Sequence, residues 1–91
     1  MLSIDWFIKH SVKPKFVCDE ELPYLDKVFD SRGKRAISFI YHREIYVIPY
    51  KKAIIDFLIK EGFQHCSIER LYITDTQSER LRKLRKEYAN I

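Results

Sequence analysis

Residues 36–48 are the feature that most constrains the fold, because most side chains in this run are aliphatic or aromatic and suit a strand. Thirteen residues is long for a single strand, since strands usually span about 3–10 residues. The run therefore predicts a β-hairpin that turns near His42, Arg43 and Glu44. No glycine or Asn-Gly pair marks this turn, so the prediction depends on length alone.

The segment before the hairpin, residues 20–31, predicts a helix. An acidic run, residues 19–21, stands at its start, where the helix dipole favours negative charge. Pro23 falls in the first turn, where proline is tolerated, and Gly33 follows as a left-handed cap. The predicted apolar face consists of Leu22, Leu25, Val28 and Phe29.

The segment after the hairpin, residues 50–61, predicts a second helix, which starts after Pro49 and stops at Gly62. Its apolar side chains cover most of its circumference, so we expect it to be largely buried. Residues 67–73 then predict a strand. A final helix, running to about Ala89, follows a capping box that begins at Thr76 and ends at Glu79.

The N-terminal segment, residues 3–10, fits two structures. Ile4, Trp6 and Ile8 alternate as in a strand, whereas Ile4, Phe7 and Ile8 suit one turn of helix. The shortness of the segment favours a strand, and residues 16–18 offer another first strand if it is helical.

Either first strand gives the order β-α-β-β-α-β and an additional C-terminal helix. This order is ferredoxin-like, so we expect a single α+β domain over residues 1–91 with a four-stranded antiparallel sheet. A double-stranded-RNA-binding domain is not expected, because it needs three consecutive strands between two helices and the helix at 50–61 would interrupt them.

Scarce glycine excludes several ligand classes. Gly33 and Gly62 are the only two glycines in the chain, so neither a P-loop nor a dinucleotide fingerprint can form. No small-molecule cofactor is therefore expected. The histidines and cysteines lack metal-ligand spacing, so no metal site is expected either.

The expected location is cytoplasmic. No apolar stretch approaches the roughly 18 residues of a membrane span, so no membrane association is expected. The N-terminus has no basic segment before an apolar one, which argues against a secretory signal. We therefore expect Cys18 and Cys66 to be reduced, with Cys66 in the core.

The charge is modestly basic, with 17 Lys and Arg against 13 Asp and Glu, a net charge of +4. The final helix carries most of the excess, and a second basic group precedes the hairpin. Together they predict a small non-catalytic module that contacts nucleic-acid phosphates, mainly through the final helix. The predicted contacts are Arg80, Arg82, Lys83, Arg85, Lys86, Arg32, Lys34 and Arg35. Tyr41, Tyr46 and Phe39 are the side chains expected to stack on bases if the sheet face is exposed.

Two other functions remain open. The chain could be a protein-interaction or regulatory module with an acidic partner. A narrow apolar stripe on the final helix would then contact that partner or a second copy. The same stripe could instead dock on the chain's own sheet. The stripe consists of Leu81, Leu84, Tyr88 and Ile91. A less favoured alternative is a small metal-independent ribonuclease, with His42 as the base, Arg43 as the phosphate clamp and Tyr41 as the proton donor.

Overall fold

The computed structural model describes residues 2–15, 22–67 and 71–91. The helices within these ranges are α1 (Ile4–Lys9), α2 (Lys52–Lys60) and α3 (Asp75–Tyr88). The strands are β1 (Tyr24–Phe29), β2 (Arg35–Tyr41), β3 (Glu44–Pro49) and β4 (Gln64–His65). The predicted α+β class is therefore confirmed, while the alternative first strand at 16–18 lies outside the described residues.

The strand order is β3-β2-β1-β4. β1, β2 and β3 pair antiparallel, but β4 pairs parallel with β1, so the sheet is mixed. The ferredoxin-like order with a fully antiparallel sheet is not confirmed. Instead, three consecutive strands lie between α1 and α2. The helix at 50–61 was expected to interrupt such a run, but it follows the third strand as α2.

The predicted helix at 20–31 is wrong, because residues 24–29 form β1. Each of these residues pairs with β2, from Tyr24 opposite Ile40 to Phe29 opposite Arg35. β2 is buried from Ala36 to Ile40 and lies inside the sheet, so it needs a hydrogen-bonded neighbour on both edges. Sheet pairing thus overrides a local helical pattern, since short helices have little stability of their own.

The favoured strand at 3–10 is also wrong, because residues 4–9 form α1. The Ser3 hydroxyl caps this helix by accepting a hydrogen bond from the Trp6 amide at 3.1 Å. Phe7 is fully buried. The extended contact comes after the helix, where Val12 and Val47 exchange two backbone hydrogen bonds of 2.9 Å.

The hairpin is confirmed, with its turn at His42 and Arg43. Both residues have positive φ, 52° and 65°, as the central residues of a type I′ turn require. Glu44, expected in the turn, already pairs with Tyr41 as the first residue of β3. The right-handed twist of the paired strands favours this turn type. His42 and Arg43 therefore adopt the left-handed backbone conformation, although both carry a Cβ.

The helix predicted at 50–61 is confirmed as α2, with Ile54, Ile55 and Leu58 buried. Gly62 follows it at φ +100°. The predicted strand at 67–73 is not found: β4 ends at His65, residue 67 and residues 71–73 are not in a strand, and residues 68–70 lie outside the described part.

The final helix is confirmed, but its capping box begins at Thr74, two residues before the predicted one at Thr76. The Thr74 hydroxyl accepts from the Gln77 amide at 3.2 Å, and the Gln77 side chain accepts from the Thr74 amide at 2.9 Å. The chain offers the same motif at 74–77 and at 76–79, and the structure uses the first.

Candidate nucleic-acid interface

The apolar stripe of α3 packs inside the chain. Leu81, Leu84 and Tyr88 are all at least 94% buried, and the Tyr88 hydroxyl donates a 2.6 Å hydrogen bond to the His10 carbonyl. Burial, with a smaller contribution from Glu87, raises the pKa of the Tyr88 phenol. Ile91 is half-buried against the same core. These side chains therefore do not offer a surface to a partner, and their packing fixes which side of α3 faces solvent.

The basic side chains of α3 do not form one cluster. Successive residues of a helix are rotated by about 100°, so Arg80 and Arg82 lie about 160° apart around the axis. Lys83 lies on the outer face of the helix, about 60° from both Arg80 and Lys86, and lines a shallow surface depression with Glu79 and Arg80. Arg80 lies on one flank of the buried stripe. Arg82 and Lys86 are exposed on the other flank, and Arg85 is half-buried there.

The turn between β1 and β2 docks on that flank of α3. The amide of Ser31 donates to the Ser78 hydroxyl at 3.0 Å, and the two hydroxyls lie 2.8 Å apart. Ser78 is 1% exposed, so α3 meets the turn closely. This contact joins residues 47 positions apart in the sequence and brings the basic turn beside the basic helix.

Asp30 holds the shape of this turn. Its Oδ1 accepts from the amides of Arg32 at 2.8 Å and Lys34 at 2.9 Å, and its Oδ2 lies 3.4 Å from the Arg85 guanidinium. The carboxyl group is 1% exposed, so each of these partners compensates its burial. Arg85 is thereby anchored between the helix and the turn.

Glu79 joins the same two elements at the surface. Its Oε2 lies 2.9 Å from Arg32 Nη1, and its Oε1 accepts from Arg82 Nε at 3.0 Å. Hydrogen bonds from Arg82 and Arg32 lower the pKa of the Glu79 carboxyl to about 2. The carboxylate therefore stays ionised and holds both guanidinium groups in place.

The basic surface continues to the end of β3. The Arg35 guanidinium lies over the Tyr50 ring, 4.3 Å from its centroid. The Lys51 ammonium donates to the carbonyls of Tyr88 at 3.1 Å and Ile91 at 2.6 Å. A shallow groove of about 250 Å³ separates these groups; it is lined by Pro49, Tyr50, Lys51, Arg85, Tyr88 and Ala89.

We call this region the basic end. It carries eight basic side chains and the two carboxylates that they contact, Asp30 and Glu79. The basic side chains are Arg32, Lys34, Arg35, Lys51, Arg82, Lys83, Arg85 and Lys86. Within the described ranges, Lys34, Lys83 and Lys86 form no ion pair, so their charges are available to an anion.

The side chains expected to stack on bases are not on an exposed face. Phe39 is fully buried and Tyr46 is 8% exposed, because the face of β2 and β3 on which these paired residues lie is covered. Tyr41 is half-buried. The aromatic side chain exposed near the basic end is instead Phe29, which the predicted helix had placed on a buried face. Residues 24–29 have no alternation of apolar and polar side chains, so their only strand signal is the β-favouring composition of Tyr24, Val28 and Phe29.

The ribonuclease residues lie far from the basic end. Arg35 begins β2 and Tyr41 ends it, which places them about 20 Å apart. His42 is exposed on the hairpin turn, 4.1 Å from the Tyr41 ring. In the part of the chain that the structure describes, no carboxylate or cation pairs with the His42 imidazole, and the ribonuclease alternative stays a prediction.

Cys66 is exposed and reduced, so the expectation of a core position is wrong; Cys18 lies outside the described residues. Within residues 2–15, 22–67 and 71–91, no group of three His, Cys, Asp or Glu side chains is placed to hold a metal ion. None of the helices in those ranges is long and apolar enough to span a membrane.

Comparison with protein-family models, curated proteins and solved structures found no match to this chain. The basic end therefore stands as the candidate site on its geometry alone.

Proposed function

We propose that this chain is a non-catalytic binding module that holds nucleic-acid phosphates on its basic end. The observation that carries the proposal is the docking of the β1–β2 turn on α3 through Ser31 and Ser78. It turns two basic segments that are distant in sequence into one surface. A dense positive surface attracts a polyanion and releases its counterions, which is the main source of non-specific affinity for nucleic acids.

The arrangement favours phosphate because part of the surface is already ordered. Glu79 fixes Arg32 and Arg82, and Asp30 fixes Arg85. Side chains held in place lose less conformational entropy on binding. The unpaired ammonium groups of Lys34, Lys83 and Lys86 lie among them and can each approach a phosphate.

This proposal alters the contact set expected from the sequence. Arg80 lies on the opposite flank of α3, so we assign it no phosphate contact. The turn residues Arg32, Lys34 and Arg35 take an equal part with the helix, and Lys51 joins the surface through the groove that it shares with Arg85.

The test is fluorescence anisotropy of labelled single- and double-stranded oligonucleotides at several salt concentrations. The variant replaces Lys34, Lys83 and Lys86 with Gln; the control replaces the exposed Lys9, Lys15 and Lys60 with Gln and removes the same charge outside the basic end. Each lost phosphate contact should reduce the salt slope by roughly 0.7–0.9, so we expect the slope to fall by about 2 in the variant. The control should keep the wild-type slope.

Equal loss in the variant and the control would show that net charge, not the basic end, supports binding. No binding of either oligonucleotide at low salt would overturn the proposal. An acidic protein partner would then be the better explanation of the same surface.

A further inference from the structure

Phe29 is an exposed aromatic side chain at the end of β1. It is 66% exposed, although phenylalanine is usually buried in a folded domain. Among the described residues, Leu22, Ile59 and Tyr72 show similar exposure, but none of them is paired with a basic residue of the basic end. Packing of the core does not require an exposed aromatic ring on the same face of the sheet as the cations Lys27 and Arg35.

The register of the sheet places Phe29 beside the basic end. Phe29 lies directly opposite Arg35 in the antiparallel β1–β2 pair, so their side chains share one face of the sheet. Lys27, two residues earlier in β1, is exposed on the same face. Arg35 in turn covers Tyr50, which lines the groove with Lys51 and Arg85. The ring, the guanidinium and the groove thus form a continuous surface.

We propose that Phe29 stacks on an unpaired base of a single-stranded nucleic acid while the basic end holds the adjacent phosphates. This inference rests on the function proposed above and names its substrate class. A nucleobase suits this position because its π-face can stack on a phenylalanine ring and also meet the neighbouring guanidinium. An apolar protein side chain would instead have to desolvate Lys27 and Arg35, which opposes binding.

The preference for a single-stranded nucleic acid follows from the same geometry. A base inside a duplex is already stacked on both sides, so a fixed surface ring reaches its face only if the base is extruded. A single strand exposes its bases without that cost. The ring at position 29 therefore favours single strands over duplexes of equal phosphate number.

The experiment compares three ligands: a short oligothymidylate, an abasic strand of the same length, and a duplex. The unaltered chain should bind the oligothymidylate about tenfold more tightly than the abasic strand, because only the first offers a base for stacking. Phe29→Ala should lose about tenfold in affinity for the oligothymidylate and keep its affinity for the abasic strand. Its salt slope should not change, because the phosphate contacts remain.

Two further variants separate stacking from a general apolar effect. Phe29→Leu keeps an apolar side chain without a π-face, so it should bind the oligothymidylate like Phe29→Ala. Tyr72→Ala removes an aromatic ring of 64% exposure elsewhere and should bind like the unaltered chain. The abasic comparison needs no variant, so it stands even if a substitution at position 29 impairs folding.

The failures of the two proposals are distinguishable. Salt-dependent binding with equal affinity for the oligothymidylate and the abasic strand would overturn the stacking inference and leave the phosphate surface standing. Equal loss for both strands in Phe29→Ala, or preference for the duplex, would also overturn stacking. No binding of any ligand at low salt would overturn the phosphate surface and the inference with it.

Discussion

The two turns at opposite ends of β2 differ in the contacts and the backbone conformation that hold them. The β1–β2 turn is held by the buried Asp30 carboxylate and docked on α3 through Ser78. The β2–β3 turn consists of two exposed residues, His42 and Arg43, with positive φ. Both turns carry basic and polar side chains that looked functional in the sequence. The first turn is docked on a helix, and there separate charges become one surface.

Removing the docking of α3 should break this comparison at its source. Leu81 is fully buried on the inner face of α3, so Leu81→Ala leaves a cavity and should lower the free energy of unfolding by about 2–5 kcal/mol. Chemical denaturation measures the change. The matched control is Ile59→Ala, an apolar truncation at a helical position that is 54% exposed, which should cost well under half as much.

The same variant tests whether the stripe of α3 is an interface. Since Leu81 packs inside the chain, Leu81→Ala should destabilise the fold without changing the molar mass measured by light scattering. A change in molar mass with unchanged stability would contradict the packing described here.

Loss of the Asp30 carboxylate should have the next largest effect. Asp30→Ala leaves two turn amides and the Arg85 guanidinium without their partner, so we expect a loss of about 2–3 kcal/mol. The control is Glu44→Ala at the other turn, whose carboxylate pairs with Lys13 at 3.0 Å while both side chains are more than half exposed. Surface pairs contribute little, so that change should stay below about 1 kcal/mol.

Equal destabilisation in these two variants would show that the turns are not held differently. Asp30→Ala should also weaken oligonucleotide binding, because Arg32, Lys34 and Arg85 lose their fixed positions. Glu44→Ala should leave binding unchanged.

The β2–β3 turn should be improvable, in contrast to the first. His42 and Arg43 occupy the left-handed region, which disfavours residues with a Cβ by roughly 1–2 kcal/mol each. Replacing His42 with Gly, which adopts positive φ without a Cβ penalty and leaves Arg43 in place, should raise the free energy of unfolding by about 1 kcal/mol. Thermal unfolding measures the gain, and a loss of stability would contradict the turn geometry. Binding should be unaffected.

The smallest effect concerns Glu79 and its dependence on pH. Its pKa is lowered to about 2 from 4.5 by Arg82 and Arg32, so its ion pairs stabilise the fold fully above about pH 4.5. That contribution is lost as the pH falls towards 2. The stability difference between the unaltered chain and Glu79→Gln should therefore be present at pH 7 and vanish in this range. A difference that is independent of pH would show that the carboxylate charge is not its cause.

Local pattern was sufficient where one segment carried its own signal. The hairpin followed from the length of an apolar run, and α2 followed from Pro49, a broad apolar face and Gly62. The C-terminal helix was likewise evident, although its capping box lies at 74–77 and not at the predicted 76–79. These features depend on neighbours in sequence, which is why they can be predicted.

Local pattern was insufficient where two structures shared it. The apolar spacing of residues 22–29 fits a helix, yet Tyr24, Val28 and Phe29 also favour a strand. Only the pairing demand of the buried β2 selects between the two structures. The exposure of Phe29 follows from that selection. The split between Arg80 and the other cations of α3 follows from which side of the helix is buried.

The sequence by itself determined the α+β class, the charge excess, and the absence of any glycine-rich phosphate loop, because these depend on composition and short-range order. Only the tertiary structure decided that β1 is a strand, that Ser31 meets Ser78, and that two basic segments form one end of the molecule. The physical reason is that burial and hydrogen-bond pairing are satisfied between segments distant in the chain. The pattern within one segment does not specify which distant segment it will pair with.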